Sequence, residues 1–430
     1  MLTSILLFVV AFLFLFVGIP VAFAFGGAAL LVALLSPEAS LSILSLLPSR
    51  IYGIMSNATL MAMPLFIFMG LVLEKSGMAE KLLRNIGRLF GSIRGGMAIG
   101  VVAVGVLLAA STGVVGASVV MMGVIAVPAM LKSGYSPALS SGVVAASGTL
   151  GQIIPPSIVL ILLGDVMQVS VGDLFAAAIV PSLILVLFYV FFILALAFLK
   201  PALAPALKGE EGESLRGVIL ETLQTSLPPI GLIIIVLGGI FLGVVTPTEA
   251  AALGAMGSIL LTLFLRSFSL ELLRYAAIQT VVFSGMIFAI LIGASAFTLV
   301  FNDAGGGDLI FDFFSDHLGS PWAFIWVAMG VVFLLGFFID FIEICFVVVP
   351  LFVPLVGHFG IDPIWFAMLL AINLQTSFLT PPFGFALFYL KGAVGDKLKT
   401  SAIYQGAVPF ILLQLLLLGI VVAFPAVIVY

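Results

Sequence analysis

The chain of 430 residues is 63% hydrophobic and only 8% charged, with a mean hydropathy of +1.41. Soluble globular domains carry roughly a quarter charged residues, so an ordinary water-soluble enzyme is excluded, together with disorder and nucleic-acid binding; the single cysteine excludes a disulfide scaffold. The net charge of −4 identifies no partner, and the long apolar runs exclude a β-barrel, so the chain reads as an all-α polytopic membrane protein.

A membrane-spanning helix needs about 20 apolar residues. In chain order the sequence predicts about ten transmembrane helices, at 2–18, 19–35, 51–73, 137–164, 174–199, 227–245, 246–265, 277–300, 363–390 and 402–428. The run from Leu2 to Leu35 has no basic leader and no polar break, so it reads as membrane helix and not as a cleavable signal. It splits at Gly18-Ile-Pro20, and the 227–265 run splits at Thr246-Pro-Thr-Glu249, because proline interrupts the helix ladder. One long tilted helix is the competing reading of each run. Segments 74–95 and 301–320 are amphipathic and predicted to lie flat in the interface, as arms or as plain surface anchors.

Two more apolar stretches, 96–131 and 321–356, have soft centres: Ala110-Ser-Thr-Gly-Val-Val-Gly-Ala-Ser118 and Gly336-Phe-Phe-Ile-Asp-Phe-Ile-Glu343. Each reads as a re-entrant hairpin, with two short ordinary helices as the alternative. Non-helical backbone at membrane depth requires cover by protein or a water-filled cavity. With 74–95 placed inside, 14 of the 15 Lys and Arg residues fall on the cytoplasmic side and only Arg50 outside. Making either hairpin a simple crossing destroys that bias. Both termini come out on the periplasmic or extracellular face.

The halves match at an offset of about 226 residues: Pro128 with Pro354, Gly134-Tyr-Ser-Pro137 with Gly360-Ile-Asp-Pro363, and Pro155-Pro156 with Pro381-Pro382. Their loop charges are opposite. The 74–94 loop carries five basic residues, whereas 301–317 carries Asp303, Asp308, Asp312 and Asp316 and no Lys or Arg. Similar sequence with inverted charge predicts an inverted repeat, 1–226 and 227–430, an arrangement of secondary transporters. Each repeat then holds scaffold helices (2–73; 227–300), an arm (74–95; 301–320), a hairpin (96–131; 321–356), a broken helix (137–164; 363–390) and a last helix (174–199; 402–428).

The chemistry concentrates at the broken helices, Gly148-Thr-Leu-Gly-Gln-Ile-Ile-Pro-Pro-Ser157 and Asn373-Leu-Gln-Thr-Ser-Phe-Leu-Thr-Pro-Pro-Phe-Gly384. Paired prolines remove two amide donors, and the Gly, Ser and Thr around them weaken the helix further. Unwound backbone with spare carbonyl and hydroxyl oxygens suits a hard cation, and half-helix N-termini suit a carboxylate. A packing kink without ligand is the alternative. Glu249, Asp340 and Glu343 are the acids nearest membrane depth; they read as proton or cation ligands, or as solvated and partner-facing groups. There is no Gly-Lys dipeptide, hence no P-loop, and two histidines give no His-based metal site. No cofactor is expected, and no catalytic residue.

In this order, Gly18-Ile-Pro-Val-Ala-Phe23, Met63-Pro-Leu-Phe66, Ser111-Thr-Gly-Val-Val-Gly116, Gly148–Ser157, Thr246-Pro-Thr-Glu-Ala-Ala251 and Leu379-Thr-Pro-Pro-Phe-Gly384 resemble the large membrane subunit of tripartite ATP-independent periplasmic (TRAP) transporters, over nearly the whole chain. The resemblance implies a bacterial or archaeal inner-membrane, Na⁺-driven importer of organic acids moving as an inverted-repeat elevator. It implies a small four-helix membrane subunit and a periplasmic substrate-binding protein as partners. It also implies one Na⁺ site at Ser111, Thr112, Gly113, Gly151, Ile154 and Pro156, and another at Gly336, Ser377, Thr380 and Phe383; the reading of the acids, apart from the resemblance, adds Asp340 and Glu343 as additional acidic ligands. The second hairpin tip is poorer in Ser and Gly than that pattern. A self-sufficient Na⁺- or H⁺-coupled dicarboxylate or citrate carrier, and a non-transporting scaffold subunit, are the competing functions.

Overall fold

The computed structural model describes residues 2–36, 40–90, 93–113, 115–206 and 215–428, with the side chains at 79, 111, 112, 215, 317 and 318 outside that description. Among the described residues there are helices and no strand. The first run forms α1 (Leu2–Phe16) and α2 (Val21–Leu35), which pack against each other and are therefore two segments. The break falls at Gly18, whose φ of +90° favours glycine, and at Pro20, the N-cap of α2.

The helix expected over 51–73 is instead two, α3 (Leu47–Met55) and α4 (Ala62–Lys75). Asn57 accounts for the interruption. Its side-chain oxygen accepts the amides of Thr59 (2.9 Å) and Leu60 (3.3 Å), a local turn that competes with the helix ladder. Next, α5 (Met78–Phe90) departs from α4 at a bend of 61°. Its Leu82, Leu83 and Ile86 are buried while Lys81, Arg84 and Arg88 are exposed, which makes it an amphipathic helix.

The first hairpin is α6 (Gly96–Thr112) and α7 (Val115–Lys132), turning at Gly113 with φ +59°. After it come α8 (Pro137–Thr149), a break, α9 (Ile158–Met167) and α10 (Val171–Leu199). The second half opens with α11 (Leu215–Phe241), reaching further N-terminally than its apolar run, and α12 (Pro247–Phe264). Thr246 and Glu249 form a capping box at the start of α12, with the Glu249 carboxylate accepting the Thr246 amide at 2.8 Å. Glu249 is thus occupied as a helix cap.

The next helix, α13 (Leu270–Asp303), is longer than the 277–300 expected. The second arm, α14 (Gly306–Asp312), continues as a π-helical turn, Phe313–Leu318. The second hairpin is α15 (Pro321–Leu335), a short α16 (Phe341–Glu343), a π-helical turn Ile344–Val348, and α17 (Val349–His358). The last elements are α18 (Pro363–Leu379), α19 (Phe385–Val394) and α20 (Thr400–Ala423). Seven helical runs among the described residues are long and apolar enough to cross a bilayer alone, alongside shorter apolar helices.

The halves interlock. Helix α2 packs on α13 and α12 packs on α4; α8 packs on α20 and α18 packs on α10. Small residues permit the closest crossings: a methyl on Gly26 would stand 3.7 Å from the Gly293 Cα, and one on Gly142 would collide with the Gly406 carbonyl. Every residue of 141–164 and of 364–379 is buried, so the two broken helices form the centre. Leu183, Leu187 and Phe191 on α10, and Leu227, Ile234 and Ile235 on α11, point outward as a lipid-facing surface.

Candidate functional site

Pro155-Pro156 and Pro381-Pro382 each end a helix, whereas Pro228-Pro229 lies within the unbroken α11. Helix α8 passes through a 3₁₀ turn at Leu150–Gln152, and α9 restarts at Ile158; α18 stops at Leu379, and α19 restarts at Phe385. In the first break Ser157 does two jobs. Its hydroxyl donates to the Gln152 carbonyl at 2.6 Å and accepts the Leu160 amide at 3.5 Å as the cap of α9. Ser182 of α10 donates to the Ile153 carbonyl at 3.0 Å. Two of the carbonyls that unwinding frees are therefore already held by serines.

The hairpin tip lies directly on this break. A methyl on Gly113 would stand 3.5 Å from the Pro156 carbonyl oxygen and 3.4 Å from the Ile158 nitrogen. One on Gly151 would stand 3.6 Å from the Ala109 Cα and 3.8 Å from the Gly113 carbonyl carbon. Gly113, Gly151 and Pro156 are thus brought together, and Ile154 is buried on the same loop. The side chains of Ser111 and Thr112, and all of Val114, lie outside the described residues.

At the second break Gly336 sits against Ser377, whose hydroxyl a methyl there would strike. The Ser377 hydroxyl donates to the Phe333 carbonyl at 2.7 Å, and the Thr380 hydroxyl to the Thr376 carbonyl at 2.7 Å. With both protons committed, the hydroxyl oxygens keep lone pairs for an acceptor role. Gly384 fits only as glycine, since a methyl would lie 2.7 Å from the Phe378 carbonyl oxygen. Phe383 is 44% exposed, with its ring 5.4 Å from that of Phe338 on the hairpin tip. Asp340 caps the short α16 by accepting the Phe341 amide at 2.6 Å, and Glu343 is 2% exposed with one oxygen lacking a partner among the described residues.

A cavity of about 540 Å³ lies between α4 and α13 on one side and the hairpins on the other. Asp340, Phe341 and Phe378 line it beside Glu74, Tyr275, Gln279 and Tyr389. It borders the ends of α4 and α13 that carry Lys75 and Arg274. The last four of those lining residues escaped the sequence reading, because none belongs to a motif and only the fold assembles them.

A buried polar cluster also went unforeseen. Thr149 of α8 accepts the side-chain amides of Gln375 (α18) and Gln414 (α20), each at 3.4 Å, and Gln414 donates to Tyr189 (α10) at 2.8 Å. The oxygens of Gln152, Gln375, Gln414 and Ser147 are buried without a partner among the described residues. Orphaned acceptors at this depth cost free energy unless water or a cation meets them. Thr149 and Gln375 lie 226 positions apart. That is the offset of the matched prolines, so the pair occupies corresponding positions of the two halves.

Comparison with known proteins agrees with this architecture. The model of the DctM component of tripartite ATP-independent periplasmic transporters matches residues 8–427. A C4-dicarboxylate TRAP transporter large permease protein, DctM, of Pseudomonas aeruginosa is 33% identical over 93% of this chain and 91% of its own length. An ectoine/5-hydroxyectoine TRAP large permease, UehC, of Ruegeria pomeroyi is 32% identical over 85% of this chain and 83% of its own. The sialic acid TRAP large permease SiaM of Vibrio cholerae is 27% identical over 96% of this chain and 94% of its own. The crystal structure of the Alcanivorax borkumensis YdaH transporter shares the fold, with a TM-score of 0.62 at 15% identity, covering 98% of both chains. The chain belongs to the DctM family: it is the large permease component of a TRAP transporter, a multi-pass membrane transport protein and not an enzyme.

Proposed function

We propose that this subunit imports an organic acid by coupling it to Na⁺, with ion sites at the two hairpin–broken-helix junctions. The observation that carries the reading is the second junction. There the Ser377 and Thr380 hydroxyls give their protons to carbonyls and keep lone pairs available beside Gly336. The first junction, at Gly113, Gly151, Ile154 and Pro156 with Ser111 and Thr112, is the counterpart site. Neutral oxygens bind Na⁺ without the desolvation cost of buried carboxylates.

The substrate would occupy the cavity of about 540 Å³. Because that cavity borders the Lys- and Arg-bearing helix ends, the conformation reads as open toward the cytoplasm, with both termini outside. The exchanged packing of α2 on α13 and α12 on α4, and of α8 on α20 and α18 on α10, supports an inverted repeat of 1–226 and 227–430. The first set forms a frame of 2–73 and 227–300. The second belongs to a unit of hairpins and broken helices that slides as an elevator between the arms. A small four-helix membrane subunit and a periplasmic binding protein complete the system. The relatives' names span C4-dicarboxylate, sialic acid and ectoine, so the choice of acid belongs to the complete system and not to the family.

Proteoliposomes holding all three proteins test this, with uptake of a panel of organic acids beginning with succinate. Uptake that needs an inward Na⁺ gradient and the added binding protein supports the proposal. Uptake without the binding protein favours a self-sufficient carrier, and uptake indifferent to Na⁺ overturns the coupling.

A further inference from the structure

Arg50 is the one basic residue that the charge map leaves outside, at the start of α3, and it makes no ion pair or hydrogen bond with any described residue. Its surroundings combine an apolar wall, including Leu291, Ala294 and Leu299, with a line of polar side chains. Ser295 and Thr298 on α13 stand three positions apart, and Asn302 follows four later, which puts all three on one helix stripe. Together with Phe346 and Pro350 of the second hairpin, they and Arg50 line an open pocket of about 190 Å³, with Arg50 and Asn302 exposed. Among the described residues no acid forms an ion pair with the guanidinium; Asp303 accepts the Ser40 amide at 2.9 Å, and Asp308 and Asp312 lie on α14.

The pocket and the larger cavity line successive stretches of α13. The cavity lines α13 as far as Ile287, and the pocket begins at Leu291, one turn on. It therefore sits in the same seam between α13 and the second hairpin, at the opposite end. Its volume lies below the roughly 300 Å³ at which pockets enclose whole drug-sized ligands. It has room for an anionic group and its hydration, not for a large molecule.

We propose that this pocket is an entry subsite for a carboxylate, held by the Arg50 guanidinium with Ser295, Thr298 and Asn302 as neutral donors. A planar fork of N–H groups matches a carboxylate in two-point contact, which a lone ammonium does not. The subsite rests on the transport reading for its place on the outer side of the path; its anion chemistry does not depend on that reading. A single cation at an acid-rich end of the molecule captures an anion from the approaching substrate before the seam opens.

Thiol labelling of purified protein in detergent tests this without knowledge of substrate or membrane orientation. The native Cys345 is fully buried and provides a quiet background. Thr298→Cys, with Asn302→Cys as a second site should the first fail to fold, is reacted with anionic and cationic methanethiosulfonates. The expected result is a preference of about tenfold for the anionic reagent, lost with Arg50→Gln and kept in part with Arg50→Lys. Succinate is expected to slow the labelling and chloride at equal concentration to leave it unchanged. A preference unaffected by Arg50→Gln overturns the subsite. Slowing by phosphatidylglycerol micelles and not by succinate overturns the carboxylate assignment in favour of a lipid headgroup. Because no outcome requires transport, failure here leaves Na⁺-coupled uptake standing, and failure of uptake leaves this result standing.

Discussion

The two broken helices share their double prolines and differ in their surroundings. At the first, every residue from 151 to 160 is buried, and serines from the cap and from α10 hold two of the unwound carbonyls. At the second, Pro382 and Phe383 are exposed, and the loop touches the hairpin through an aromatic pair. The hairpins differ in the same sense. The first turns on one left-handed glycine, while the second is a longer turn leading into a short helix and a π-helical turn. One sequence device therefore serves two ends. Where it is enclosed, buried serines hold the loop; where it is open, Tyr404 does, donating to the Pro382 carbonyl at 2.9 Å.

That contrast sets an order of expected effects. The largest belongs to Gly113→Val, which forces a β-branched residue to a φ of +59° at about 1–2 kcal/mol and drives it into Pro156 and Ile158. Misplacing the tip by an ångström is expected to lower Na⁺-dependent uptake about a hundredfold; initial rates in proteoliposomes check it. Next comes Ser157→Ala, which strands the buried Gln152 carbonyl and uncaps α9. A loss of about 1–3 kcal/mol of stability follows, read as earlier thermal unfolding in detergent. A melting profile equal to that of the wild type would show that the enclosed loop does not depend on its serine. The smallest effect is predicted for Phe383→Leu, whose ring is exposed: uptake stays within about twofold. A loss there as large as that of Gly113→Val would erase the distinction between the two junctions.

Much of this was legible in the sequence, for local reasons. Pro155-Pro156 and Pro381-Pro382, each among Gly, Ser and Thr that weaken the helix further, announced both unwound stretches, whereas Pro228-Pro229 near the start of an apolar run stays within α11. The splits at Gly18-Ile-Pro20 and Thr246-Pro247 were equally readable. The turn at Asn57 was hidden because asparagine also sits in membrane helices, and its competing hydrogen bonds form only when the backbone bends. Glu249 read as a candidate ligand because acidity is visible in sequence, whereas its partner, the Thr246 amide, is a matter of geometry. The Thr149–Gln375–Gln414–Tyr189 cluster needed four helices to meet, and residue-by-residue reading has no access to that.

The central claim is that the open junction is a Na⁺ site built on neutral oxygens, and Thr380→Ala addresses it most directly. The substitution removes one hydroxyl and leaves the prolines, the hairpin and the enclosed junction in place. The concentration of Na⁺ giving half-maximal uptake is measured for wild type, Thr380→Ala and Thr380→Ser in the three-protein proteoliposomes. Losing one oxygen ligand worth about 1–1.5 kcal/mol raises that concentration about tenfold, with Thr380→Ser close to wild type and the substrate KM at saturating Na⁺ unchanged. A Thr380→Ala transporter with the Na⁺ dependence of the wild type would contradict the assignment.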